Sequence, residues 1–247
     1  HARQRKIHVM IYQPCHLLQY RHSGDLAIIA HRGASAYYPE NTMISFEGAI
    51  NMGADMVELD VQLTADGEVV VFHDENISRC TDGRGRIADY PFIRLRKLDA
   101  GGWFHKKFTG ERIPALTEVL ALCKDRIAVN IEVKTEAVTD AVSGGIEERC
   151  LKIVDETGMR EHVVYSSFDS RAILHFKQID ALTPVAVLYE KKQHGLRLPW
   201  LLRTDDVIGL MLFKTKGDPK RNCCARVKRY LRLKLDSLSV KTAFALG

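Results

Sequence analysis

Three carboxylates and a lysine occupy alternate positions in two segments that have the pattern of β-strands. Glu58 and Asp60 alternate with apolar residues in the segment 57–63, and Glu132 and Lys134 do so in the segment 129–134. Side chains two residues apart share one face of a strand. Burying such charges costs free energy unless a counter-ion compensates them, and a hard divalent cation prefers carboxylate oxygens. The pattern therefore predicts a metal site or, with equal weight, a polar sheet face exposed to solvent.

Two histidines and an arginine are predicted to lie near these carboxylates. The sequence Ala65-Asp66-Gly67 is typical of a hairpin turn, which brings His73 back beside the first acidic strand. His31 and Arg32 follow the first predicted strand, and the carboxyl ends of barrel strands form the mouth of an active site. Histidine transfers protons near neutral pH, and Arg32 and Lys134 are suited to hold an anion. These residue types together indicate phosphoryl transfer.

Short apolar strands alternate with helical patterns along most of the chain. Strands are predicted over residues 26–30, 57–64, 68–73, 127–134, 163–168 and 184–189. Helices are predicted over 41–53, with Asn41 as the N-cap, and over 117–124, 145–157 and 170–179. The alternation indicates a parallel sheet, either open or closed into a barrel. Residues 75–115 are irregular and too long for an ordinary connection, which favours a functional segment.

The length and composition limit the class of protein. A chain of 247 residues fits one α/β barrel of about 250 residues. Hydrophobic residues make up 46% and charged residues 27%, which excludes wholesale disorder and collagen-like or coiled-coil repeats. The apolar runs are shorter than the ~20 residues that cross a bilayer. The net charge of +5 is uneven, with +8 in residues 194–247 and −3 in the rest, so the body of the protein does not have the charge of a nucleic-acid-binding protein.

Several motifs, in their order and spacing, resemble those of the glycerophosphodiester phosphodiesterases, within the phospholipase-C-like phosphodiesterase superfamily. They are Ile28–Ala34, Pro39–Thr42, Val57–Val61, Val71–Asp74 and Glu132–Lys134. Residues 79–85 and 99–104 resemble the insertion that distinguishes this family from other barrels of the superfamily. The resemblance covers roughly residues 25–190.

This resemblance implies a TIM-type (β/α) barrel enzyme that hydrolyses glycerophosphodiesters to sn-glycerol 3-phosphate and an alcohol with a divalent cation, Mg²⁺ or Ca²⁺. In the family mechanism the neighbouring glycerol hydroxyl attacks phosphorus, and water then opens the cyclic phosphate. The order in which two histidines transfer protons stays open. By position, the resemblance implies Glu58, Asp60 and Glu132 as metal ligands, His31 and His73 as the acid–base pair, and Arg32 and Lys134 as phosphate ligands.

The resemblance ends near residue 190, so the last barrel units are missing or atypical. The sequence divides into an N-terminal extension (1–24), a barrel region (25–193) with the insertion at 75–115, and an atypical basic segment (194–247). Residues 207–213 are predicted to supply a sixth strand. An apolar stripe from Cys224 to Leu238 predicts a basic helix, which packs on the body, lies on a membrane surface or belongs to a non-native tail. The first interpretation is favoured.

Two other functions stay open beside hydrolysis of small glycerophosphodiesters. One is a lysophospholipase D activity on longer lipids, and the other is a truncated, catalytically weak product that binds or regulates. Six cysteines without a C-x-x-C pair predict free thiols and a cytoplasmic location. Because the chain starts at His1, it is expected to be a processed or partial product. The expected partner is a small-molecule substrate and not a nucleic acid, and the oligomeric state stays open.

Overall fold

Parallel strands and the helices between them form the main body of the protein. The computed structural model describes residues 28–188 and the backbone of two further strands at 210–212 and 242–244. The strands of the body are β1 (Ile29–His31), β2 (Met56–Leu63), β3 (Val69–Val71), β4 (Ala128–Val133), β5 (Val163–Ser167) and β6 (Val185–Val187). The α-helices are α1 (Met43–Asn51), α2 (Phe92–Leu95), α3 (Leu116–Cys123), α4 (Ile146–Thr157) and α5 (Ser170–Ile179). The parallel order is β1-β2-β4-β5-β6, and β3 pairs antiparallel with β2.

The two faces of this sheet differ in character. Val57, Leu59 and Val61 of β2 join the large apolar core that α1, α3, α4 and α5 share. The inner face is apolar at the amino ends of the strands, where four side chains pack together: Met56, Ala128, Val164 and Ala186. Two residues further along their strands, the buried side chains are polar: Glu58, Asn130 and Ser166. In a TIM-type (β/α) barrel such a face lines the interior, and the active site lies at the carboxyl ends of the strands.

A β-hairpin joins β2 to the segment 75–115. Gly67 in its turn has a φ of +79°, a conformation that favours glycine, and Val61 faces Val71 across the two strands. The segment that follows contains short 3₁₀ helices at Ile77–Arg79, Ile87–Asp89 and Lys106–Phe108. A second apolar core holds it on the hairpin: Val70, Phe72, Ile77, Cys80, Ile87, Leu95, Ala100 and Ile113. The predicted irregular segment is therefore a packed part of the fold.

The prediction that Asn41 caps the first helix is wrong. Helix α1 begins at Met43 with Thr42 as its N-cap, and Asn41 has a left-handed φ of +56°. The Asn41 amide instead donates a 2.9 Å hydrogen bond to the buried carboxylate of Asp60, which needs donors because it is shielded from water. At the other end of α1, Gly53 follows the helix with a φ of +75°, as predicted.

The described strands form an open sheet with β1 and β6 at its edges. The segment predicted to supply a sixth barrel strand contains strand β7 (Leu210–Leu212). Strand β7 pairs in parallel with β8 (Thr242–Phe244) in a two-stranded sheet separate from that of the body. An apolar run predicts a strand but does not specify its partner.

Two predicted segments lie outside the described residues, the N-terminal extension 1–24 and the basic helix at 224–238. Among the helices that the structure describes, none combines the length and the apolarity that a bilayer-spanning helix requires.

Candidate active site

Three carboxylates from two neighbouring strands meet on the inner face of the sheet. Asp60 of β2 lies opposite Glu132 of β4, and Glu58 lies one inward-facing position earlier on β2. One oxygen from each residue lies within 4.8 Å of the others. The residues are only 3% (Glu58), 1% (Asp60) and 5% (Glu132) exposed. The alternative of a polar sheet face exposed to solvent is therefore wrong.

The three carboxylates repel one another in this buried position. Burial, followed by the charges of Asp60 and Glu132, raises the pKa of the Glu58 carboxyl well above its ordinary value. Burial and the Asp60 charge raise the pKa of Glu132 as well. Burial also acts to raise the pKa of Asp60, but the charges of Lys134 and Arg32 outweigh it and lower that pKa to about 2. The cluster is thus a concentrated negative charge that a bound cation would stabilise.

The donor atoms of the cluster fit a hard divalent cation. Glu58 Oε1 and Asp60 Oδ1 find no hydrogen-bond donor in the described part of the chain. Asn130 Oδ1 and Ser166 Oγ, on neighbouring strands, are buried and unpartnered there in the same way. Unsatisfied buried oxygens are costly, and hard cations are bound by sets of carboxylate and neutral oxygens. We therefore regard Glu58, Asp60 and Glu132 as a group able to hold such an ion.

Two basic side chains flank the cluster. Lys134 Nζ donates to Glu132 Oε1 at 2.7 Å and lies 3.4 Å from Asp60 Oδ1. Arg32 Nε lies 3.3 Å from Asp60 Oδ2, and the Arg32 backbone nitrogen donates to Glu58 Oε2 at 2.9 Å. Arg32 has a φ of +55°, which is uncommon for a residue other than glycine and turns the chain sharply after β1. The predicted anion-binding residues therefore lie at the rim of the carboxylate cluster.

The two histidines reach this rim from different elements. His31 is the last residue of β1, and its Nε2 lies 3.9 Å from Glu58 Oε2. Desolvation and the adjacent Arg32 charge lower the pKa of His31 to about 3, so its ring is neutral at pH 7. On the hairpin, the Phe72 backbone nitrogen donates to the Asp60 carbonyl at 2.9 Å, which brings the next residue, His73, beside the cluster. The hairpin turn predicted from the sequence positions His73 in this way.

Sequence reasoning gave no catalytic or binding role to three polar residues of the site. Asn41 binds Asp60, as described above, and the Asp74 carboxylate lies 2.5 Å from His73 Nδ1. Gln62 Nε2 donates to the carbonyls of Phe72 and Asp74 and so braces the hairpin against β2. Gln62 shares the inward face of the acidic strand, which was a usable signal. The partners of Asn41 and Asp74 depend on tertiary contacts that the sequence pattern does not encode.

Comparison with known proteins adds a sequence relationship to this geometry. Residues 31–208 match the family described as "Glycerophosphoryl diester phosphodiesterase family". The chain is 44% identical over 174 residues to the glycerophosphodiester phosphodiesterase of Caldanaerobacter subterraneus subsp. tengcongensis, covering 70% of this chain and 69% of that protein. It is 39% identical over 163 residues to the enzyme of that name from Bacillus altitudinis, covering 65% of each chain. The chain thus spans about two thirds of the length of these relatives.

The fold of this chain also resembles the folds of solved phosphodiesterase structures. A phosphodiesterase of Oleispira antarctica, solved in complex with the product sn-glycerol-3-phosphate, has a TM-score of 0.65 at 29% identity, covering 76% of this chain and 74% of that one. The glycerophosphodiester phosphodiesterase of Agrobacterium tumefaciens has a TM-score of 0.62 at 27% identity, covering 79% of this chain and 89% of that one.

Proposed function

Because this chain belongs to the glycerophosphoryl diester phosphodiesterase family, we propose that it hydrolyses glycerophosphodiesters to sn-glycerol 3-phosphate and an alcohol. The observation that carries the proposal is the buried cluster of Glu58, Asp60 and Glu132 beside two basic and two imidazole side chains. Relatives that bear the name of this activity, and a similar structure with its product bound, support the substrate class.

In this proposal the carboxylates of Glu58, Asp60 and Glu132 hold a divalent cation, Mg²⁺ or Ca²⁺. Oxygen-only ligands suit these ions better than softer metals. When bound, the cation offsets negative charge on the phosphoryl oxygens of the substrate. Its two candidate identities differ in radius and preferred coordination, so activity with each ion separates them.

Arg32 and Lys134 bind the phosphate. Burial acts to lower the pKa of Lys134, but the charges of Asp60 and Glu132 outweigh it and raise that pKa above its ordinary value. The ammonium is therefore charged at neutral pH. The Arg32 guanidinium is permanently charged and offers several donors in one plane, which matches the oxygens of a phosphate. Both groups stabilise the charge that develops on these oxygens during the reaction.

His31 and His73 transfer the protons. The glycerol hydroxyl next to the phosphate attacks phosphorus, and the neutral His31 accepts its proton as the new P–O bond forms. The bond to the alcohol breaks, and His73 donates a proton to the departing alkoxide. In the second step water attacks the cyclic phosphate, His73 accepts a proton from it, and His31 returns its proton to the glycerol oxygen. Both histidines end each cycle in their starting state.

Hydrolysis of glycerophosphocholine by the purified chain tests this function. We expect release of sn-glycerol 3-phosphate and choline, loss of the activity in chelator, and recovery on addition of Mg²⁺ or Ca²⁺. Lysophosphatidylcholine in a parallel reaction tests the lysophospholipase D alternative, since faster turnover of that lipid would favour it. Absence of turnover with every substrate and ion would favour the truncated, catalytically weak product.

The cytoplasm is the proposed location. Cys80, Cys123 and Cys150, in the described part of the chain, are free and buried thiols. Such thiols are common in proteins of a reducing compartment. Fractionation of the source cells tests this proposal, because recovery of the protein from an oxidising compartment would contradict it.

A further inference from the structure

We infer that Arg79, in the packed segment 75–115, is a positioning residue that holds both the phosphate-binding and the proton-transfer side of the site. The inference rests on the proposed function and adds a residue to it. Arg79 touches none of the proposed metal ligands, and it acts through two carboxylates, Glu40 and Asp74.

The Arg79 guanidinium bridges these two carboxylates. Its Nη2 donates to Glu40 Oε1 at 2.6 Å, and its Nη1 donates to Glu40 Oε2 at 3.1 Å. On the other side, Nη2 also donates to Asp74 Oδ1 at 3.0 Å, and Nε donates to Asp74 Oδ2. All three nitrogens are therefore used. Only the planar fork of arginine can supply this set of donors to two carboxylates at once.

Each of the two carboxylates has a second partner in the site. Glu40 Oε1 accepts a 2.9 Å hydrogen bond from Nη1 of Arg32, whose Nε faces Asp60. Asp74 Oδ1 lies 2.5 Å from Nδ1 of His73. A continuous chain of charged hydrogen bonds therefore runs from Arg32 through Glu40, Arg79 and Asp74 to His73. The Arg79 guanidinium therefore connects the phosphate-binding residue Arg32 to the proton-transfer residue His73.

The consequence for His73 is the choice of its reactive nitrogen. A carboxylate accepts only, so the contact with Asp74 keeps a proton on Nδ1 and leaves Nε2 to exchange protons with the substrate. Arg79 supplies two of the donors that fix the Asp74 carboxylate in this orientation. Without them the carboxylate is free to rotate, and the proton of the neutral ring is shared between the two nitrogens.

The position of Arg79 is set by the packing of the segment that carries it. Arg79 ends the 3₁₀ helix Ile77–Arg79, which Asn76 caps by accepting a 3.0 Å hydrogen bond from the Ser78 backbone nitrogen. Ile77 is buried in the second apolar core. On the outer side the Trp103 ring covers the guanidinium, with 5.9 Å from the Arg79 Cζ atom to the ring centroid. The packing of this segment therefore fixes the position of Arg79 in the site.

The test compares two Arg79 variants with a matched control, all as full-length protein. Arg79→Ala removes the bridge, and Arg79→Lys keeps the charge and most of the apolar stem, so it is the variant expected to fold if Arg79→Ala does not. Arg126→Ala is the control, because Arg126 makes a similar half-exposed pair with Glu47, at 2.9 and 3.2 Å, at the amino end of β4. The measurements are kcat and KM for glycerophosphocholine, thermal unfolding, and ¹⁵N NMR signals of the His73 ring under alkaline conditions.

We expect both Arg79 variants to unfold cooperatively and to lose about 10–100-fold in kcat, the usual effect of losing a residue that orients an active-site group. Arg126→Ala should keep the wild-type kcat. Methylguanidinium in solution should restore part of the rate of Arg79→Ala and leave the rate of Arg126→Ala unchanged. The ¹⁵N signals of His73 should shift from a ring protonated at Nδ1 toward a mixture of the two tautomers. A folded Arg79 variant with wild-type kcat and unchanged His73 signals would overturn the inference. If the wild type lacks activity, the proposed function fails, but the His73 signals still decide whether Arg79 sets the tautomer.

Discussion

Two of the three carboxylates at the centre of the site, Glu58 and Asp60, each have an oxygen that no hydrogen bond in the described part of the chain satisfies. We expect Glu58→Gln, Asp60→Asn and Glu132→Gln each to abolish hydrolysis and to weaken divalent-cation binding, because each change removes a charged oxygen from the cluster. Titration calorimetry with Mg²⁺ and Ca²⁺ measures the binding. Glu147→Gln is the control, since Glu147 is also fully buried but pairs with His175 between two outer helices. Wild-type cation affinity in all three site variants would rule out the proposed metal site.

At the same scale, the two histidines are expected to affect the reaction rate and not the binding of the cation. His31→Ala and His73→Ala should each lower kcat by ~10²–10⁴, the range of an acid–base group, while cation binding persists. His105→Ala is a control within the segment 75–115, where the ring accepts a 3.1 Å hydrogen bond from the Lys107 backbone nitrogen and packs edge-on against Phe108. Near-normal kcat in His73→Ala would contradict the role given to the hairpin.

The pKa of His31 also predicts a pH dependence of stability. The folded protein lowers this pKa from 6.5 to about 3, so between these values the unfolded chain binds more protons than the folded one. The stabilisation is therefore complete above pH 6.5 and is lost progressively as the pH falls toward 3. We expect the melting temperature of the cation-free wild type, relative to His31→Gln, to fall over this window. A difference that stays constant with pH would show that the ring is not kept neutral.

At the scale of elements, the turn from β1 into α1 is held by one glycine. Gly33 has a φ of +78°, and a Cβ atom there would lie 2.7 Å from the Ser45 carbonyl carbon. We expect Gly33→Ala to destabilise the fold by about 2 kcal/mol or more, because backbone strain and a backbone clash add. Gly53→Ala is the matched control, with a similar φ of +75° but open space around the Cβ position, and should cost about 1 kcal/mol or less. Denaturant unfolding measures both, and equal losses would contradict the steric argument.

The elements also show which parts of the fold the sequence could predict. Alternation of polar and apolar residues predicted β2 and β4 to within one residue at each end, because a period-two alternation of polarity is a local pattern. The helix at 170–179 was predicted with the observed bounds. The true partner of β7 and the contact between Asn41 and Asp60 were not predictable, since both depend on residues far apart in the chain. The same holds for the site, where residue types were predictable and the bridging contacts of Arg79 were not.

At the scale of the whole molecule, the open edges of the described sheet call for a partner. Strand β6 ends the sheet on one side, and an unpaired strand edge promotes association between chains. We propose that residues 194–247 form a segment that protects the barrel region 25–193. Deleting residues 194–247 should then cause aggregation or loss of cooperative melting, as followed by light scattering and calorimetry. Unchanged melting and hydrolysis after the deletion would show that the segment contributes neither to stability nor to activity.

The most direct test of the whole account is hydrolysis of glycerophosphocholine in water enriched in ¹⁸O, with and without chelator, followed by mass spectrometry of both products. We expect sn-glycerol 3-phosphate that carries one ¹⁸O in its phosphate, choline without label, and no turnover while the cation is chelated. The position of the label follows from attack of water on phosphorus. The loss of turnover in chelator follows from the proposed cation, which Glu58, Asp60 and Glu132 hold. Label in choline, release of phosphocholine and glycerol, or a rate unaffected by the chelator would contradict it.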